Sequence, residues 1–522
     1  MDPANLYKSF TALDWVVVFG YLGLTTWVGH VLSGKQSSIR DFFLAGRSLP
    51  WPAVSGSIIA TEISGVTFIS VPGMVYAAQG DFTYLQWGIG SIIARILVGL
   101  FFVRVFYQRE IYSPYDYMGD RLGEGVKRLA TVIFSIGSIL GQSVRVLVAA
   151  LALKVVTPLD FHYCILIIGL FAIAWTLMGG MQTVIWTDVM QFLLFMGGAV
   201  LTLFWITGSL DGGWSAFFET AGDAGKFTLL NLSTDPAVGF TLWVAILAVP
   251  FQNLSAFGVD QLNAQRMFCC RNESDARKAI IASSAAILVT LLMLLVGAGL
   301  FTWYAQNHPG QAMADYFAQD SDIIYPAWIT TTLPVGLRGL ILAGIFAAAI
   351  SSLDSILAAL SQTTISLIKK KEALQNPDNR AQLLKLSRIL VIAWGIGLSL
   401  FAIGLNSLQG NVNMVDLAFG MISYTTGPLL GMFLAALHGK STARGLTLGF
   451  VLSFLLVLFI RTDFWNILLN FDAMTAEQVA SFAPFKATDG KLASTIHSAW
   501  AWPVTALLTW GCGVLLGRRD KA

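Results

Sequence analysis

Thirteen apolar stretches, each long enough to span or nearly span a bilayer, run through this chain. They lie near 12–32, 52–76, 84–106, 129–155, 161–179, 183–207, 239–259, 279–306, 333–368, 387–404, 412–438, 444–461 and 498–517. A helix needs about 20 apolar residues to cross the hydrocarbon core, so the spans consume about half of the chain. The longest gaps, near 208–238, 307–332 and 462–497, have room only for loops and short helices. Charge is correspondingly scarce. Asp, Glu, Lys and Arg make up 12% of the 522 residues, against roughly 25% in soluble domains. Too few charges remain to clothe a soluble core, which excludes a cytosolic enzyme, a nucleic-acid binder and a disordered chain. The expectation is an all-α integral membrane protein.

The placement of Lys and Arg sets an orientation. If the loop after the first span is cytoplasmic, that face carries 23 of the 32 basic residues. Lys8, Lys154, Lys226, Arg461, Lys486 and Lys491 fall on the other face, and Arg95, Arg145 and Arg338 lie within spans. Cytoplasmic loops are enriched in Lys and Arg, so the N-terminus is expected outside and the C-terminus inside, as an odd number of spans requires. No basic n-region or small-residue cleavage site precedes the first span, which is therefore expected to remain as a helix. The run Lys369–Lys371 reads as a positive-inside anchor. The four cysteines, Cys164, Cys269, Cys270 and Cys512, are too few and too badly spaced for a disulfide framework or a metal site.

Two spans are polar at their centres. The second reads WPAVSGSIIATEISGVTFISVPGMVY, with Gly56, Gly65, Pro72, Gly73 and a central Glu62. The seventh reads LWVAILAVPFQNLSAFGVDQ, with Pro250 followed by Gln252, Asn253 and Ser255. Ordinary packed helices with Gly and Pro are the bland alternative. Two such helices five spans apart suggest instead the matching broken helices of an inverted repeat. Unwound backbone survives at membrane depth only where it lines a cavity.

Three acids lie within spans: Glu62, Asp188 and Asp354. Each costs about 2.5–3.5 kcal/mol at the bilayer centre, so each needs a partner or a task. The ninth span holds the run AAAISSLDS. On a helix, Ala348, Ser351, Ser352 and Ser355 share one stripe, and Asp354 lies beside Ser351. Hydroxyls, carbonyls and carboxylate are hard ligands suited to hard cations. Serines that merely satisfy helix packing are the competing reading. Asp188 either faces interfacial water or offers its carboxylate to a cation. The sequence shows no P-loop and no pore-filter ring, which argues against a nucleotide-driven pump and a channel.

The segments AGRSLPWPAVSGSIIATEIS (45–64), GGMQTVIWTDVMQ (179–191), FGVDQLNAQR (257–266), LRGLILAGIFAAAISSLDS (337–355) and YTTGPLLGMF (424–433) together resemble the sodium:solute symporters. That family includes bacterial sodium-coupled galactose, proline and sialic acid transporters. The resemblance implies a LeuT-type 5+5 inverted repeat with one extra N-terminal and two extra C-terminal helices. The expected division is 1–51 for the N-terminal helix and first cytoplasmic loop, 52–207 for the first repeat and 208–238 for an extracellular loop. The second repeat then covers 239–438, and the last two helices 439–522. The implied activity is sodium-coupled import of a small polar organic solute, a carboxylate or zwitterion, by alternating access. A neutral sugar is the alternative substrate, and a membrane sensor that reuses the fold the alternative class. The chain ends on Gly517-Arg-Arg-Asp-Lys-Ala with no attached signalling domain, which disfavours the sensor. The expected location is the cell (inner) membrane, as a multi-pass protein with no nucleic-acid partner and no evident obligate protein partner.

The resemblance also implies sites. Na+ would take carbonyls from Ala60, Ile63 and Ala348 and hydroxyls from Ser351 and Ser352. A second cation site would use Asp188, Ser351, Asp354 and Ser355. Asp354 stands where the sialic acid transporters have serine, which alters that site's character. Asp188 and Asp354 are expected close enough to influence each other. The solute would meet Glu62, Ser64, Thr67, Phe82, Gln86, Arg145 and Asn253. Glu62 stands where the galactose and sialic acid patterns carry neutral polar residues. Arg145 would face either a solute carboxylate or Glu62 itself. Phe82, Tyr84 and Trp87 are candidate walls or gates.

Overall fold

The computed structural model describes residues 3–32, 44–108, 111, 113–177, 181–369, 379–408, 414–439, 441–470, 473–488 and 491–517. Among these, ten helices are long and apolar enough to cross a membrane, and two bent helix pairs would each make a further span. The expected stretch at 161–179 holds the shorter helix Phe161–Thr176. The molecule is thus an all-α, multi-pass membrane protein.

The elements that build the site are the following. Helix α1 is Ala12–Leu32, α2 is Trp51–Glu62 and α3 is Gly65–Tyr76. Helix α4 is Trp87–Leu97, α5 is Glu124–Val156, α6 is Phe161–Thr176 and α7 is Met181–Gly208. Three short helices follow: α8 (Leu242–Leu247), α9 (Val249–Gly258) and α10 (Gln261–Phe268). The remaining long helices are α11 (Ala286–Gln306), α12 (Leu337–Ile368), α13 (Arg380–Leu408), α14 (Met414–His438), α15 (Ala443–Ile460) and α16 (Ala501–Gly517). The gap at 462–497 folds into two short helices and a hairpin, β1 (Phe485–Thr488) against β2 (Lys491–Ser494) in antiparallel register.

Helix α12 is the axis of the bundle and is almost wholly buried. Its run of Ala, Gly and Ser lets α1, α5, α7 and α13 approach closely. Arg338, near its start, donates to Asp14 at 2.7 Å, and Asp14 also accepts from the Gly336 backbone, so α1 is pinned to α12.

Both bent pairs match the two spans that the sequence marks as broken. Helices α2 and α3 meet at 55°. The second bend, of 54°, falls between Gly258 and Gln261. The helix also pauses at Ala248, just before Pro250, so the span is interrupted twice. Pro250 occupies the first turn of α9, where the missing N–H is not needed. The chain leaves the helix at Val259 and Asp260, and the Asp260 carboxylate caps α10 by accepting from Leu262 N at 2.8 Å.

Candidate functional site

The first break is where the site begins. The helical ladder of α2 ends with Ile63 N donating to Ile59 O at 2.8 Å. Ile63 and Ser64 are extended, and the Ser64 hydroxyl accepts from Val66 N to start α3. The last carbonyls of a helix have no partner within it. Those of α2 therefore point at whatever faces the break.

Facing it is the oxygen stripe of α12. The Ser352 hydroxyl donates to Ala348 O at 3.2 Å and reaches Thr61 O at 3.5 Å. The Ser351 hydroxyl donates to Asp188. Ala60, Ile63, Ala348, Ser351 and Ser352 are all buried and lie on the two elements that meet here. Their donor atoms are carbonyl and hydroxyl oxygens, the set a hard monovalent cation needs. Among the described residues no group of three or more His, Cys, Asp or Glu could hold a metal ion.

The second proposed cation site is assembled as well, but with a residue the sequence reading did not include. Asp188 accepts from Ser57 and Ser351, and from Arg266 at 3.0 Å. Arg266 also donates to Ser355 at 2.8 Å, and Ser355 donates to Asp354 at 3.0 Å. Asp188 and Asp354 are therefore no more than three hydrogen bonds apart, as expected. Arg266 belongs to α10 and is 1% exposed. Counting it among the solvated cytoplasmic charges is corrected here: the bend at Val259–Asp260 turns α10 inward against α2 and α12.

A cavity of about 220 Å³ opens beside the first break. Of the expected solute residues, Glu62, Ser64, Thr67, Arg145 and Asn253 line it. Phe82 and Gln86 do not. Gln86 instead donates to Thr83 O and Phe240 O and accepts from Asn231 N, which holds the 225–241 loop over the start of α4. Phe82 packs edge-on against Phe227 of that loop. Tyr84 and Trp87 do reach the cavity wall, and Trp87 packs edge-to-face with Phe240, Phe419 and Trp502.

Of the two counter-ions weighed for Arg145, Glu62 is engaged elsewhere. Glu62 is paired with Arg95, whose guanidinium also contacts Ser91 and lies 4.1 Å from the Phe257 ring centroid. Ser91 in turn donates to Asn253 Oδ1 at 2.8 Å. Arg145 donates to Thr61 O at 3.0 Å and, among the described residues, makes no ion pair. Its carboxylate neighbours, Asp260 and Glu62, act on it only at longer range. The sequence contained one hint of Arg95: Ser91 and Arg95 are four apart on one helix, so they share a face.

The chain matches the sodium:solute symporter family over residues 42–452. It is 30% identical to the sodium/sialic acid symporter SiaT of Proteus mirabilis, across 91% of this chain and 97% of that one. It is 29% identical to the sodium/glucose cotransporter of Vibrio parahaemolyticus, across 88% and 87%. A solved substrate-bound, outward-open Na+-coupled sialic acid symporter superposes with a TM-score of 0.79 at 26% identity, across 98% of each chain. The nucleobase-cation-symport-1 transporter Mhp1, at 14% identity and a TM-score of 0.51, shares the fold. This chain belongs to the sodium:solute symporter family.

Proposed function

We propose that this sodium:solute symporter imports a small hydroxylated carboxylate, with Arg145 as the carboxylate anchor and the Ala60–Ile63–Ala348–Ser351–Ser352 oxygens as the sodium site. Sodium-coupled symport of a polar solute is the family's activity, and the protein is a transporter rather than an enzyme. Sodium and solute are its transported partners.

One observation carries the reading: the Thr61 carbonyl accepts from both Arg145 and Ser352. A single peptide group at the unwound break thus touches the residue proposed for the solute and a residue proposed for the ion. Glu62 is already engaged by Arg95, so Arg145 reaches the cavity with no carboxylate at ion-pair distance among the described residues, only Asp260 and Glu62 at longer range. A solute carboxylate supplies the missing anion, and the planar guanidinium suits it. Ser64, Thr67, Gln142 and Asn253 provide neutral hydrogen-bonding groups for hydroxyls. The sialic acid symporters among the relatives agree with an acidic solute, and the sodium/glucose cotransporter keeps a neutral sugar as the alternative.

The two bent pairs, five spans apart, support 52–207 and 239–438 as the inverted halves that alternate access. The charge distribution supports a cytoplasmic C-terminus in a bacterial inner membrane. The deciding experiment is a thermal-shift screen with and without Na+, against sugar acids, short carboxylates, amino acids and neutral sugars. Carboxylates should stabilise the protein only with Na+, and Arg145→Ala should abolish the effect. A shift with neutral sugars that survives Arg145→Ala would replace this reading with sugar symport.

A further inference from the structure

Four buried side-chain polar atoms of cavity-lining residues have no hydrogen-bond partner among the described residues: Arg95 Nε, Gln142 Oε1, Asn263 Oδ1 and Ser284 Oγ. Leaving such a group unmet costs free energy, so buried orphans gathered on one cavity point to an occupant. Gln142 lies three residues before Arg145 on the same face of α5 and belongs with the carboxylate anchor. The other three lie elsewhere. Arg95 is near the end of α4, and its two terminal nitrogens are taken by Ser91 and Glu62. Asn263 is 8% exposed on α10, and its Nδ2 is committed to Ala256 O at 2.9 Å. Ser284 sits in the turn Ser283–Ala285 ahead of α11, and that turn packs against α2 and α4.

These residues stand apart from the expected solute set. Asn253 lies on α9, before the second bend, and Asn263 after it, on α10. One cavity therefore reaches both sides of the bend. Along α4 its wall runs from Trp87 to Arg95, about 12 Å at 1.5 Å per residue. A two- or three-carbon acid held at Arg145 cannot fill that length. The chemistry of the three atoms narrows what does. Arg95 Nε–H can only donate, Asn263 Oδ1 can only accept, and the Ser284 hydroxyl does either. A carboxylate would leave the Asn263 oxygen unmet, and an ammonium would leave Arg95 unmet. Hydroxyls, which both donate and accept, satisfy all three.

We propose that Arg95 Nε, Asn263 and Ser284 form a second solute subsite, which takes the hydroxyls of the solute's tail, so that the transported solute is a polyhydroxy acid longer than three carbons. This rests on Arg145 as the carboxylate anchor. It adds the far end of the molecule to that reading.

The test is calorimetric titration of the purified full chain, in detergent and saturating Na+, with glycerate (three carbons) and gluconate (six carbons). The wild type should bind gluconate more tightly. Ser284→Ala and Asn263→Ala should each weaken gluconate about 3- to 10-fold, the range of one neutral hydrogen bond, and leave glycerate unchanged. Ser284→Ala is the milder change and keeps the test decisive if Asn263→Ala does not fold. Equal losses for the two acids, or an unchanged gluconate affinity in folded Ser284→Ala protein, would mean that water alone fills the subsite and would overturn the proposal. A wild type that binds neither acid would end the carboxylate reading and the subsite with it. Gluconate binding that survives Arg145→Ala but still depends on Ser284 would refute the anchor alone.

Discussion

The Glu62–Arg95 pair makes a quantitative prediction about how the cavity is held together. Breaking a buried ion pair by removing one partner costs about 3–5 kcal/mol, because a charge is left behind without compensation. The two partners here are not equivalent. The Glu62 side chain is 30% exposed and that of Arg95 only 2%. After Arg95→Met the stranded carboxylate is wetted by the cavity, which places the loss near the lower end, about 3 kcal/mol. After Glu62→Gln the guanidinium stays buried but keeps the Ser91 hydroxyl and the face of Phe257. A desolvated cation over an aromatic ring retains about 2 kcal/mol, so this loss should be the smaller one. The double variant removes both charges, so its loss should fall short of the summed single losses by about 1.5–3 kcal/mol. Unfolding in detergent, followed by denaturant titration of all four proteins, measures this cycle. If the two losses simply add, to within about 0.5 kcal/mol, the pair does not act as a unit and the charge accounting of the cavity fails with it.

Ser352→Ala removes one of five proposed oxygen ligands, and the sodium concentration for half-maximal uptake should rise by roughly tenfold or more, since small cations tolerate few lost ligands. An unchanged sodium dependence would remove the site. Arg145→Lys should weaken an acidic solute by roughly 10- to 100-fold while Glu62→Gln weakens it less, because a charge-assisted hydrogen bond is worth about 1.5–3 kcal/mol; competition binding reads both. Asp322, in the loop before α12, has its pKa pushed up to about 7 by burial, with Asp320 and Asp416 adding like charge against the help of the Met414 N–H. A carboxyl raised in the folded state holds a proton that the unfolded chain releases, so its contribution is full below about pH 4 and is lost as pH rises through about 7. Stability should therefore fall between those limits, and Asp322→Asn should flatten that part of the profile. A pH profile identical in the two proteins would contradict the assignment.

The architecture was legible because its determinants are local. Twenty apolar residues in a row state a span, and a Gly, Pro and hydroxyl cluster at mid-span states a break. The Ala348–Ser355 stripe was likewise visible, since i, i+3 and i+4 spacing puts its hydroxyls on one face whatever surrounds them. The errors all concern pairings across the fold. Glu62 finds Arg95 at 33 residues' separation and Asp188 finds Arg266 at 78. Spacing along one helix cannot choose between Arg95 and Arg145 as the partner of Glu62, because that depends on how α4 and α5 rotate against the break. Gln86 was misplaced for a similar reason. Its helix position suits the cavity, but the backbone of the 225–241 loop offers Phe240 O and Asn231 N within its reach.

The corrected pairings change what the cavity can recognise. With Glu62 free, as a partner for Arg145 or for a solute amine, a zwitterion and a sugar would have been equally natural ligands. With Glu62 held by Arg95, its charge is already answered, and Arg95 in turn ties the first break to α9 through Ser91 and Asn253. Arg145 then has a carbonyl as its hydrogen-bond partner, with Asp260 and Glu62 only at longer range, and a carbonyl is a dipole rather than an anion. Bringing a carboxylate to Arg145 would draw guanidinium hydrogen-bonding capacity toward the solute and loosen its hold on Thr61 O. That carbonyl would then be freer to turn toward the ion beside Ser352. A cation there would in the same way compete with Arg145 for the carbonyl and leave the guanidinium readier for a carboxylate. Each ligand thus favours the other through one peptide group, and such a coupling must be equal in both directions. Co-transport of a cation with an anion is the kind of exchange that this break can make cooperative.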